Sequence, residues 1–118
     1  MITRRTEKLT PTKKTPERKR TPFPREVLYT KDFVDDWEKL SRSGKHDMNR
    51  IKEVISLLVK NDGSLPAEWR DHELKGEWNE FRECHVKGDL LVVYQVRKKS
   101  YCEVLIFSNI GTHSEIFG

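Results

Sequence analysis

Cysteine is scarce in this chain: Cys84 and Cys102 are the only two in 118 residues, too few to staple a small fold. Neither lies in a CxxC pair and both fall in strand-like runs, so they read as reduced side chains. Proline is nearly absent from most of the chain, since four of the five precede Arg25. No apolar run approaches the roughly 20 residues that a bilayer requires. No apolar core follows the charges at the N-terminus, which excludes a secretory signal. These absences predict a soluble, cytoplasmic protein that does not engage a membrane.

The charge is abundant but unevenly placed. The net charge is +4, yet residues 1–25 hold nine Lys/Arg against two Glu, leaving 14 Lys/Arg against 17 Asp/Glu in 26–118. The basic character therefore belongs to the leading segment, and it does not by itself mark a nucleic-acid site on the rest. With its prolines, cations and few large apolar groups, 1–25 cannot offset the entropy of ordering and reads as a disordered extension. Residues 26–118 read as one folded domain.

That domain opens with "REVLYT", a short strand. Thr30 offers a helix cap, and Phe33, Trp37 and Leu40 share one helical face that ends at Gly44. Asp47 caps a second helix, with Met48, Ile51, Val54, Ile55 and Leu58 as its apolar stripe and Gly63 at its close. "SLPAEWRDHELKGE" reads as an extended loop. Three strands follow at 79–86, 90–97 and 101–108, joined by links short enough to imply an antiparallel meander. "NIGTHSEIFG" reads as a Gly-led turn and a short helical or irregular piece. The order β-α-α-β-β-β predicts an α+β domain, with a helical hairpin on one face of a small sheet and the other face open.

Four histidines invite a chemical reading. His46, at a helix start among charges, reads as an ordinary surface residue. His72 precedes the sheet, His85 ends one strand, and His113 follows the last. If Cys84 and Val86 face the helices, alternation turns His85 to the open side with Glu83 and Phe81. The Gly88 turn adds Asp89 close by. Solvated or structural roles compete for any single loop histidine. A metal site is set aside, because no pair has helical i, i+4 spacing and no CxxC is present, and no cofactor is expected. Imidazoles near neutral pH serve as base and acid, which is the equipment needed to cut RNA through its own 2′-hydroxyl. Asp89 would orient an imidazole, and Arg70, Lys75, Arg82 and Lys87 would hold phosphates.

Taken together, "KHDMNRIKEVISLLVKN", "LPAEWRDHELKGEWNEFRECHV", "VVYQV" and "GTHSEIFG" resemble YafQ-type toxins of the RelE superfamily from about Tyr29 to Gly118. The resemblance implies a RelE-like, microbial-ribonuclease-type fold and an mRNA interferase, the toxin half of a toxin–antitoxin pair. Such a toxin cuts mRNA in the ribosomal A site and is neutralised by a RelB/DinJ-type antitoxin. The family's functional positions fall on His72, His85, Asp89 and His113 as catalytic residues, with Phe117 as the base-stacking aromatic. Phe117 also reads as a hydrophobic plug for the C-terminus, and Trp69 and Trp78 read as packing residues. The chain departs from the family's common Pro-Asp-Trp turn with Gly88-Asp89-Leu90. It also has Ser108-Asn109-Ile110 where many members carry an arginine expected to steady phosphate charge, which implies either weaker activity or a cation supplied by Arg82, Lys87 or the ribosome complex. A binding module without catalysis, on the same scaffold, is the rival reading.

Overall fold

A computed structural model describes residues 25–60, 65–100 and 102–118. The basic segment 1–24, Gly63 and Tyr101 lie outside them. Helix α1 (Lys31–Ser43) starts where expected, because the Thr30 hydroxyl accepts the Phe33 N–H at 3.0 Å, and Gly44 ends it in the left-handed region at φ 68°. Helix α2 (Met48–Lys60) is led by Asp47, whose carboxylate accepts the Asn49 N–H at 3.0 Å. Phe33 and Leu40 from α1, with Ile51, Val54 and Leu58 from α2, are buried in one core. On the outer side, Tyr29, Phe33, Val34, Trp37 and Ile55 line an open apolar groove.

The sheet holds five strands: β1 (Glu26–Tyr29), β2 (His72–Glu73), β3 (Phe81–Lys87), β4 (Leu90–Lys98) and β5 (Glu103–Thr112). Their order is β1-β5-β4-β3-β2, with β1 parallel to β5 and the other pairs antiparallel. The α+β class and the meander of β3, β4 and β5 match expectation. Three features differ from it.

The loop before the meander is structured. Two single 3-10 turns, Ala67–Trp69 and Gly76–Trp78, flank β2, which pairs with β3. Trp69 is buried, with the Arg50 guanidinium 4.0 Å over its ring. Arg50 also donates to the Val86 carbonyl at 3.0 Å and to Glu68 at 3.0 Å. This one side chain ties the loop to α2 and β3.

The last strand runs past Ser108 to Thr112, where a turn was expected. The buried backbone of Leu90–Val93 needs partners, and a shift at Val93/Tyr94 supplies them, with Tyr94 opposite Phe107 and Val93 opposite Asn109. Gly111 is therefore a strand residue. A Cβ there would stand 3.0 Å from Glu115 Oε1 and 3.4 Å from Ile116. Its bare backbone lets helix α3 (His113–Phe117) fold back onto the sheet, fixed by a capping box between Thr112 and Glu115.

The second face of the sheet is accordingly not open along its length. Cys84, Val86, Val92, Tyr94 and Phe107 belong to the helix-side core, yet Leu91, Val93 and Gln95 on the other side are buried too. Trp78 meets Phe81 and Phe117 edge-on, with ring centres 5.1 and 4.9 Å apart.

Candidate active site

Alternation along β3 sends Phe81, Glu83 and His85 to the face that α3 covers, while Arg82, Cys84 and Val86 go to the helix side. Register sets His72 of β2 directly opposite Glu83. The His72 Nε2 lies 2.9 Å from Glu83 Oε2, and His85 Nε2 lies 3.7 Å from the same oxygen. The two imidazole centres are 6.0 Å apart. Glu83 is 6% exposed, so a nearly buried carboxylate stands between two imidazoles.

Hydrogen-bond inventory constrains the protons. The His72 Nδ1 is 2.8 Å from the Arg70 carbonyl, which can only accept, so Nδ1 carries a hydrogen. Nε2 faces the Glu83 carboxyl, and one proton lies between them, on one partner or the other. The remaining Glu83 oxygen, Oε1, and His85 Nδ1 are buried without partners among the described residues. Buried polar atoms are satisfied in nearly all proteins, and groups left unpaired concentrate where a ligand or a reaction uses them.

His113 is the first residue of α3, exposed, at the end of the sheet where His85, Leu91 and Gly111 form a row across three strands. Its ring is 4.9 Å from Phe117. Phe117 is half-buried between His113 and Trp78, so both readings of it find contacts. Arg70, Lys75 and Lys87 are exposed and form no ion pair with another described residue. Asp89, in the turn after Gly88 (φ 59°), is exposed and makes no side-chain hydrogen bond to a described histidine.

Arg82 stands apart from the other expected phosphate ligands. It projects to the opposite side of β3, where its Nη2 is 3.1 Å from Asp71 and its Nη1 is 3.6 Å from Glu73. Asp71 also accepts from the Tyr94 hydroxyl. Burial, then the Asp71 carboxylate, push the Tyr94 phenol up, so it stays a donor. Burial likewise pushes the Cys84 thiol up, which leaves it inert.

Glu83 is the site residue that pattern reading passed over. Its place beside His85 was visible in the alternation of β3, but its partner His72 came from a strand that no periodicity announced. Its atoms also reopen the metal question. One ligand atom each from His72, Glu83 and His85 lie within 4.8 Å of one another. Two imidazoles and a carboxylate suit zinc or copper, and they form across strands rather than along a helix.

Residues 25–118 match the family described as the bacterial toxin of type II toxin–antitoxin system, YafQ. The mRNA interferase toxin YafQ of Escherichia coli K12 is 35% identical over 94 residues, covering 80% of this chain and 97% of that protein. The E. coli DinJ–YafQ complex contains a chain of the same fold, with a TM-score of 0.69, 35% identity and coverage of 80% and 99%. A metal-bound toxin from Helicobacter pylori superposes with a TM-score of 0.68 at 36% identity, covering 78% of this chain and 98% of that one. The fold, the order of its elements and these matches lead to one conclusion: the chain belongs to the YafQ family of toxins from bacterial type II toxin–antitoxin systems.

Proposed function

We propose that this protein is an endoribonuclease that cuts mRNA in the ribosomal A site through the RNA's own 2′-hydroxyl, without a metal. The arrangement that carries the reading is Glu83 between His72 and His85, with His113 at the same end of the sheet. A curated relative bearing the name mRNA interferase supports it. His85 and His113 are the acid–base pair. One accepts the 2′-hydroxyl proton as that oxygen attacks phosphorus, and the other protonates the departing 5′-oxygen. His72 shares or positions this work through the proton that it holds with Glu83. Asp89 tunes a histidine once substrate fills the turn.

Cations steady the phosphate as charge develops. Arg70, Lys75 and Lys87, exposed and free of ion pairs among the described residues, take that role, while Arg82 is committed to Asp71. Phe117 stacks on a base, worth about 1–3 kcal/mol. A RelB/DinJ-type antitoxin neutralises the toxin, as the DinJ–YafQ complex suggests for its relative.

The test is growth arrest on induction of the wild type and of His113→Ala, with primer extension on a reporter mRNA. Arrest with new in-frame cuts, both lost in a folded mutant, is the expected result. Arrest without cuts, unchanged by the mutation, would replace the nuclease with a binding module. Asn109, where many family members have arginine, is the feature that favours that second reading.

A further inference from the structure

The polar cluster on the back of β3 has no part in the chemistry above, yet it sits one residue from it on two strands. Asp71 precedes His72, and Arg82 precedes Glu83. Asp71 Oδ1 accepts from the Tyr94 hydroxyl and lies 3.4 Å from Arg82 Nε, while Oδ2 is 3.1 Å from Arg82 Nη2. The planar guanidinium thus grips the carboxylate with two nitrogens. Tyr94 is 2% exposed on the central strand, with its ring beside Phe107, so one end of the chain of contacts is anchored in the core.

What this cluster holds is otherwise weakly held. β2 is an edge strand of two residues, both exposed, with pairings only to Glu83 and Arg82. Leu74 adds one backbone bond to Phe81 at 2.9 Å. Two residues of ladder do not fix a side chain. Two residues before β2, Arg70 takes a left-handed conformation at φ 50°, unfavourable for a residue with a Cβ. That conformation aims its carbonyl at His72 Nδ1. The surroundings must hold the backbone there, and Asp71 is the next residue.

We infer that Asp71, Arg82 and Tyr94 form a clamp that positions His72 against Glu83 and His85, with Arg82 acting as a positioning residue rather than as a phosphate ligand. Side chains alternate across an edge strand, so pinning Asp71 to the back of β3 sets the direction in which His72 leaves the front. The inference rests on the ribonuclease reading, whose own test is whether the wild type cuts mRNA at all.

The full chain is assayed for kcat and KM with mRNA-programmed ribosomes, comparing wild type, Tyr94→Phe, Asp71→Asn and Arg82→Lys. The ¹⁵N shifts of the His72 ring are recorded on the resting proteins. Displacement of a positioned group by about 1 Å costs up to ~10²-fold. Each variant is therefore expected to lose about 10- to 100-fold in kcat, with KM nearly unchanged and the His72 signals moved. Tyr94→Phe combined with Asp71→Asn should lose no more than Asp71→Asn alone, since both break one linkage. Folded variants with wild-type kcat and unmoved His72 signals would overturn the clamp. So would a rise in KM for Arg82→Lys alone, which would return Arg82 to the RNA.

Discussion

The two faces of β3 carry similar chemistry and treat it in opposite ways. On the helix side, Arg82 is matched by Asp71 and Glu73, and Cys84 and Val86 are packed in the core. On the other side, Glu83 and His85 each keep a buried atom without a partner among the described residues. A scaffold satisfies its buried polar groups because each orphan costs about 1–3 kcal/mol. A site leaves some unmet because the substrate or a proton in transit is to meet them. Polar groups alone therefore do not distinguish the two faces of this strand; the unmet ones are what the proposed site is built on.

This contrast breaks most decisively at the histidines. His113→Ala or His85→Ala should lower cleavage by about 10²–10⁴-fold, the usual scale of acid–base catalysis. The far-UV circular dichroism of these variants should remain that of the wild type. Glu83→Gln keeps the shape and removes the acidic group shared with His72. Its rate on mRNA-programmed ribosomes is expected to fall by about 10²-fold, the lower end of that range, and a wild-type rate would reduce Glu83 to a packing residue.

Zinc or copper provides a chemical version of the same break. An ion held by His72, Glu83 and His85 occupies the atoms that acid–base chemistry needs, so micromolar zinc should inhibit. The chelator TPEN, which spares the ribosome's magnesium, should reverse it. TPEN alone should leave the untreated enzyme at full rate; loss of activity instead would show that the reaction requires a transition metal.

Two smaller effects sharpen the comparison at α3. Gly111→Ala places a methyl against Glu115 and Ile116 and should cost about 1–3 kcal/mol, read from denaturant unfolding. The backbone N–H of Thr112 holds the Glu115 carboxyl below its ordinary value. Its stabilisation is therefore present above the unfolded glutamate value and is lost as pH falls through the lower, folded one. Because the group is largely exposed the loss is slight, a loosening of α3 in acid visible as a change in Trp78 fluorescence.

How much of this could be read in advance depended on whether each part is specified locally. Helices α1 and α2 were legible because Thr30, Gly44 and Asp47 cap them and the apolar spacing is helical. The meander was legible from three apolar runs and short links. β2 was not, since two polar residues have no period and exist as a strand only beside β3. The end of β5 was misread because Gly111 looks like a turn when its real constraint is α3 lying over it. His72, His85 and His113 could be named from motifs, but the nearness of Glu83 and the diversion of Arg82 to Asp71 are facts of register.

The parallel pairing of β1 with β5 sets the order in which the sheet can assemble. β1 is the first strand of the described sheet, yet its strand neighbour among the described residues, β5, is the last of the five in the chain. A nascent chain can form α1 and α2 early, but its sheet stays unfinished until β5 has emerged, and His113 follows β5 directly. The sheet is therefore closed by a pairing between distant parts of the chain, a contact that forms slowly compared with the local turns of α1 and α2.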